Sequence, residues 1–336
     1  MQISLLEQSV LYEYSSAETA IANTLHIAKV ADQTGYNRIW LSEHHNVSIL
    51  QGSSPEVLLA AMGAQTTRIR VGSGGVMLGN HSPYRIAENF RTLEALFPGR
   101  VDCGIGRASG GDAYSSSLLA TRPAGLPSAG GDAFVTEVDA LDRFLHDECK
   151  RAKAMPAVQT VPPIWLLSGG GGPKSGTLAA EKGLGLAVAL FINPHADPTS
   201  VSEYRRTFQP SKEFDKPRVI LAVNCVCSPD PEKLRNMQKM SDFFRLMRDS
   251  GRFPRFLPDP ARLEDFNLDE KEKDYLKSIS NREVSGTPEQ VSAQIAQKLE
   301  RYQADEIMLS IISFSLENKV ETLTALAKTC GIGGVA

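Results

Sequence analysis

Cysteine is scarce in this 336-residue chain, and what there is lies scattered at Cys103, Cys149, Cys225, Cys227 and Cys330. Thiols spread so thinly make no disulfide framework for a chain of this length, so reduced cysteines are expected. Cys225 and Cys227 share one face of an expected strand but have no companions at metal-ligand spacing. Buried structural thiols are therefore a simpler reading than metal ligands. Blocks of basic residues are missing as well. The formal charge is −3, which removes the electrostatic footprint of a nucleic-acid binder and leaves small molecules as the expected partners. No stretch approaches about 18 uninterrupted apolar residues. The segment Met1-Gln2-Ile3-Ser4-Leu5-Leu6-Glu7 also lacks a cationic region followed by a long apolar one. These absences predict a soluble, cytoplasmic protein with no membrane partner. No His-x-His or His-Glu-x-x-His pair occurs, and adjacent His44-His45 is poor spacing for chelation, so no metal is expected. A Gly-x-Ser-x-Gly nucleophile elbow is absent too.

What is present is alternation. Ile3 to Leu6 reads as a short strand, and Ser15-Ser16-Ala17-Glu18 has capping-box spacing before a helix whose Ile21, Leu25 and Ala28 share a face. Gly35 ends it. Arg38 to Ser42 is the next strand, and Ser54-Pro55-Glu56 opens another helix with a cap, a first-turn proline and an early carboxylate. Ile69 to Leu78 follows as a strand, Ser82-Pro83 as a helix start, and Phe97-Pro98-Gly99-Arg100 as the turn into Val101 to Ile105. Asp132 is positioned to cap a helix reaching about Lys150. Pro163 to Leu167, Leu184 to Phe191, Arg218 to Cys227 and Glu306 to Ile312 supply the remaining strands.

Such a run of strand-helix units argues for an α/β fold, a (β/α)8 TIM barrel, because helices form the crossovers and closure removes exposed edges. A doubly wound open sheet is the second choice. The chain, with 42% hydrophobic residues, is expected to form a single domain over 1–336. Two connections are too long for simple crossovers and read as insertions, at about 108–131 after the fourth strand and 228–286 after the seventh. The first is a lid candidate.

Several stretches carry candidate chemistry. Arg38-Ile39-Trp40-Leu41-Ser42-Glu43-His44-His45-Asn46 ends a β-branched and aromatic strand in a carboxylate, two imidazoles and an amide. Side chains alternate across a strand, so one of the two histidines is expected to face a pocket. Gly72-Ser73-Gly74-Gly75 interrupts a strand with glycines. Either a planar ring lies against Gly74 and Gly75, or they form a bulge needed for barrel closure. Arg107, in Gly104-Ile105-Gly106-Arg107, sits at a strand end where its fork of donors suits a phosphate, with a rim salt bridge as the alternative. Ser168-Gly169-Gly170-Gly171-Gly172-Pro173-Lys174-Ser175-Gly176-Thr177 runs into a helix and reads as a phosphate cradle, the alternative being a flexible turn. It lacks the Gly-Lys-Ser/Thr ending of a nucleoside-triphosphate loop. His26, His146 and His195 are assigned no role.

Taken together, Glu43-His44-His45-Asn46, the Arg68-Ile69-Arg70-Val71-Gly72-Ser73-Gly74-Gly75-Val76 strand, Phe97-Pro98-Gly99-Arg100 and Gly104-Ile105-Gly106-Arg107 resemble the bacterial luciferase-like monooxygenases. The likeness extends through Ile164-Trp165-Leu166-Leu167-Ser168 and the Ser175 helix. It implies a barrel that binds reduced FMN delivered by a separate flavin reductase, reacts it with dioxygen, and uses the flavin hydroperoxide to oxidise a small organic substrate. It also implies a homodimer. Carried over by motif, His44 assists proton handling near the flavin and His45 orients its neighbour. Gly74 and Gly75 lie beneath the ring, and Arg107, Ser168, Gly169 and Ser175 hold the phosphate. The chain departs from the pattern at Gly79, where close relatives usually carry proline. It departs again at Gly169 to Gly172, which replace a hydroxyl-bearing loop. A deazaflavin-dependent oxidoreductase on the same barrel and a non-catalytic flavin-binding subunit are the competing readings.

Overall fold

The structure is a computed structural model and describes residues 1–119, 131–169 and 173–333. The chain opens with β1 (Gln2–Glu7), α1 (Ala17–Thr34), β2 (Arg38–Leu41) and α2 (Pro55–Gly63). Next come β3 (Arg70–Ser73), a two-residue β4 (Val76–Met77), α3 (Pro83–Leu96) and β5 (Val101–Gly106). α4 (Ala113–Leu119) and α5 (Gly131–Leu145) precede β6 (Ile164–Ser168), α6 (Pro173–Lys182), β7 (Gly185–Ala189), α7 (Pro198–Thr207) and β8 (Val219–Cys227). The chain then forms α8 (Pro231–Asp249), α9 (Glu270–Ser278), β9 (Glu283–Gly286), α10 (Pro288–Arg301), β10 (Glu306–Ile311) and α11 (Leu316–Thr329).

Among the described residues, every pairing between these strands is parallel. The order β10-β1-β2-β3-β5-β6-β7-β8 closes through a further β8–β10 pairing, giving an eight-stranded (β/α)8 barrel as the alternation predicts. Helices flank it because their ends are chemically marked. Ser16 accepts from the Thr19 N–H at the start of α1, Asp230 from Glu232 and Lys233 at α8, and Thr287 forms a reciprocal capping box with Gln290 at α10. Gly35 ends α1 at φ +87°, a conformation that L side chains rarely adopt.

Four details differ from expectation. The cap of α1 is Ser16 rather than Ser15, one residue along the same hydroxyl pair. α5 stops at Leu145, short of Lys150. The strand expected over Ile69–Leu78 is interrupted at Gly74 and Gly75, which are joined by a cis peptide, and Leu78–Asn80 is a 3-10 turn. The segment after β8 contains a strand, β9, as well as helices. It pairs with the upper half of β8, above the point where β7 ends.

The interior of the barrel follows the period of two along each strand. On β2, Arg38, Trp40, Ser42 and then His44 occupy every second position, at successively higher levels from the amino-terminal to the carboxyl-terminal end. Arg38 joins a buried ionic layer with Asp102 and Glu306. Above it, Trp40 packs with Leu6, Trp165, Ile220 and Met308. Higher still, small residues such as Gly74, Ala187, Ala189 and Ala222 replace bulky ones, and the interior opens into a cavity of about 370 Å³. The larger apolar core lies outside the strands, between the sheet and its helices. Among the described residues, no helix is long and apolar enough to cross a membrane.

Candidate active site

The cavity at the carboxyl-terminal mouth is lined mainly by apolar groups, with Ser42, Glu43 and His44 from the end of β2 and Gly74 from the β3–β4 break. Barrel enzymes place their chemistry at this end. A larger space, about 810 Å³, lies at the opposite end among charged groups that include Arg70, Asp102 and Glu306. Position favours the smaller cavity, because strand ends and their loops converge on it.

Alternation lets only one of the paired histidines face inward, and the inward packing of Arg38 and Trp40 on β2 makes it His44. His44 lines the cavity, whereas His45 turns aside and its Nε2–H donates to Glu43 Oε1, 2.8 Å away. Glu43 is 1% exposed and collects further partners: His81 Nε2 at 2.9 Å, the Met77 N–H at 2.9 Å and Asn80 Nδ2 at 3.4 Å. Burial pushes the Glu43 carboxyl up. The hydrogen bonds from His81, His45 and Met77 outweigh it and hold the group below the ordinary glutamate range. His81 is raised in turn, chiefly by its bond to Glu43. His44 has the opposite environment. Burial lowers its pKa against a weaker backbone hydrogen bond at Gly110, so a neutral imidazole faces the cavity at neutral pH.

The glycines around this wall have separable reasons. A Cβ on Gly75 would meet the Gly104 carbonyl oxygen at 2.8 Å, and one on Gly104 would meet Ser73 O at 2.0 Å, so these two serve close contact between strands. Gly74 lines the cavity itself, where a Cβ would crowd Leu6 and Trp40 at 3.0 Å. Gly110, at φ +72°, brings the loop after β5 against Glu43 O, and His45 N–H donates to the Gly110 carbonyl at 2.9 Å. The glycine spacing after β5 thus seats a loop on the β2 end.

The predicted anion ligands are distributed along one sector of the rim. Cys103, Gly104 and Ile105 of β5 pair with Ile164, Trp165 and Leu166 of β6, and continuing that register brings Arg107 level with Ser168. Gly169 lines the cavity, Ser175 is half-buried in the first turn of α6, and Arg107 is exposed and outside the cavity lining. Residues 170–172, in the glycine run, and 120–130, in the lid candidate, lie outside the described residues. Cys225 and Cys227 are buried free thiols on the outer side of the barrel wall.

Several site residues escaped the sequence assignments. Glu43 stands beside the histidines that drew attention, and Asn80-His81 follows the glycine-rich strand, yet nothing in their spacing announces that they meet. Ser42 is another: its hydroxyl is buried at the cavity wall with no hydrogen-bond partner. A buried hydroxyl in that state is incomplete until a ligand or water supplies a partner. The wall can therefore offer a neutral imidazole, a hydroxyl and a fixed carboxylate-imidazole cluster to a ligand in a largely apolar cavity.

Residues 1–117 and 134–306 match the model of the luciferase-like monooxygenase family. The chain is 38% identical to YwcH of Bacillus subtilis, spanning 97% of this chain and 98% of that protein. It is 33% identical to a luciferase-like monooxygenase of Escherichia coli K12, over 91% and 90% of the two chains. Among solved structures, apo-MsnO8 superposes with a TM-score of 0.89 at 29% identity, covering 98% of each chain. More distant barrels share the fold alone and include both an FMN-bound Baeyer-Villiger monooxygenase component from Pseudomonas putida and an F420-dependent secondary alcohol dehydrogenase.

Proposed function

The chain belongs to the luciferase-like monooxygenase family, and from that premise we propose that it is the oxygenating component of a two-component flavin monooxygenase. In this reading it takes reduced FMN from a separate reductase and oxidises a small organic substrate with dioxygen. The observation that carries the proposal is the cavity wall itself. Neutral His44, the orphaned Ser42 hydroxyl and the side-chain-free Gly74 border one largely apolar space of a size typical for small-molecule sites.

The residues fit an isoalloxazine. Gly74 leaves the floor open to close approach by a ring, and Ser42 has a hydroxyl to offer its polar edge. Gly75 supports the floor from behind. Arg107, Ser168, Gly169 and Ser175, with the amino terminus of α6, would hold the phosphate through charge and exposed N–H groups. Bound reduced FMN supplies the electrons that activate dioxygen. His44 holds or moves a proton at its ring nitrogen beside the reacting atoms, because its lowered pKa keeps that nitrogen available as a base. His45 and His81 clamp Glu43, which fixes the β2 end and so the direction of His44. The apolar walls keep bulk water from the reaction. A homodimer in the cytoplasm completes the proposal.

The test is oxygen uptake by the purified protein with an added flavin reductase and candidate substrates, together with mass analysis of products formed under 18O-labelled dioxygen. Substrate-dependent uptake and a single labelled oxygen in the product are expected. Tight binding of reduced F420 with none of reduced FMN would replace the proposal by hydride transfer. Binding of FMN with hydrogen peroxide as the sole product for every substrate would leave a non-catalytic flavin-binding subunit.

A further inference from the structure

The cavity has a second polar feature that the flavin reading does not use. Arg248 and Asp249 at the end of α8, with Arg282 just before β9, line its side formed by the segment after β8. Asp249 is shared: Arg248 Nε donates to it at 3.0 Å, Arg282 Nη1 at 2.5 Å and the Tyr275 hydroxyl at 2.7 Å. Two guanidinium groups thus divide one carboxylate, and the cluster carries a positive charge in excess. Arg282 is 9% exposed, and its Nε has no hydrogen-bond partner; Arg248 Nη2 is likewise buried and unpartnered. Burial works against the charge on Arg248, lowering its pKa despite the nearby aspartate. Glu43, at the end of β2 three strands round the barrel from β8, is already occupied by His45 and His81.

Buried guanidinium groups with spare donors are costly unless an anion completes them. The same cavity is lined by the apolar Ile192, Phe244, Phe253 and Ile312, and the Ile192 carbonyl is in contact with Arg282. Resting on the function proposed above, we infer that Arg248 and Arg282 form a subsite for the acidic head group of the substrate, which is an organic carboxylic acid with an apolar body. Its body lies along the apolar wall toward Gly74 and His44, where oxidation takes place. The phosphate of the cofactor is the other anion that could reach a cavity arginine. It is assigned to the β5–β6 sector instead, which adjoins the arginines at Ile192, whose side chain packs against Gly169 and whose carbonyl accepts from Arg282 Nη2 at 3.1 Å.

The experiment is calorimetric titration of the full-length protein with octanoate and with octanamide, its uncharged counterpart, in the absence of turnover. Octanoate is expected to bind about tenfold to a hundredfold more tightly, the span of hydrogen bonds to a charged partner. Arg282→Gln and Arg248→Gln should each erode that preference while leaving octanamide affinity in place, which also shows that the variants are folded. Arg282→Lys should retain part of it. Equal affinity of the two probes, no saturable octanoate binding, or an unchanged preference in both glutamine variants would overturn the inference. A parallel titration with FMN and riboflavin separates the two anions. If Arg282→Gln weakens FMN but not riboflavin, the arginines serve the cofactor phosphate and the substrate assignment falls. Failure of the wild-type protein to bind any reduced cofactor would instead strike the proposed function, leaving the carboxylate preference to stand or fall separately.

Discussion

At the amino-terminal end of the barrel, Arg38 donates to Asp102 at 2.8 Å and to Glu306 at 2.8 Å, and Arg70 and the Trp40 Nε1 complete Asp102 at 2.6 and 3.1 Å. At the carboxyl-terminal end, Arg248 and Arg282 share Asp249 and keep N–H groups that donate to nothing. Both clusters are guanidinium-carboxylate assemblies on the same scaffold. The first matches its two guanidinium groups, Arg38 and Arg70, with two carboxylates, Asp102 and Glu306, and has a tryptophan ring packed on it, with Arg38 4.8 Å from the centre of Trp165. It closes the barrel. The second lacks partners beside an apolar cavity, the condition in which a ligand gains most by supplying them. The degree of satisfaction of a buried charge, more than its presence, is thus what distinguishes the structural layer from the proposed subsite.

The sharpest way to break this comparison is at Arg38. Arg38→Met strips a partner from two buried carboxylates, and a loss of about 3–5 kcal/mol is expected in urea unfolding. Arg248→Gln should cost much less, since that arginine is short of acceptors already. Equal losses at the two ends would remove the distinction.

His44→Ala is expected to lower product formation by roughly 10²–10⁴-fold, the range for a positioned acid-base group. FMN affinity should be nearly unchanged. A variant that retains full coupling of oxygen uptake to product would take His44 out of the proton path.

The two ends also differ in how they treat histidine. His146, beside the amino-terminal cavity, is held between Asp142 and Glu213 and its pKa is raised to about 10 by those hydrogen bonds. Its contribution to stability is therefore complete below its ordinary value of 6.5 and is lost as pH rises toward 10. His44 is lowered from 6.5 by burial, so its contribution runs the other way, falling as the solution is acidified through and below that value. NMR titration of the ring resonances should show His146 protonated and His44 neutral at pH 7. The same state for both would contradict the contrast.

The smallest expected effect is at Gly79. A Cβ there meets nothing within 4 Å, and its φ lies outside the left-handed region. Gly79→Ala should stabilise the protein by about 0.4–1 kcal/mol through the unfolded chain. By contrast, Gly75→Ala puts a methyl 2.8 Å from a backbone oxygen and should destabilise. Thermal unfolding of the pair measures both signs.

Much of the fold was legible locally. The strands from Arg38, Val101, Ile164 and Glu306 lie where apolar runs end at turn residues, and Ser54-Pro55 and Ser82-Pro83 mark helix starts. β9 was hidden because four residues, Glu283 to Gly286, gain strand character only from β8 beside them. The paired histidines were visible, and alternation foresaw that one would face inward. Glu43 was visible but unassigned, because its role depends on His81, 38 residues away along the chain. The arginine pair left no trace, as Arg248 and Arg282 fall in a segment that reads only as charged and helical.

The alternation of strands and helices, the closure it implies and the family are written locally in the chain, since they depend on periodicity, caps and short motifs within a few residues of one another. Which imidazole enters the cavity, which glycines serve packing, and which arginines lack partners emerge on folding. Those properties arise between strands far apart in the chain, where burial and hydrogen-bond completion are set by neighbours that no local pattern names.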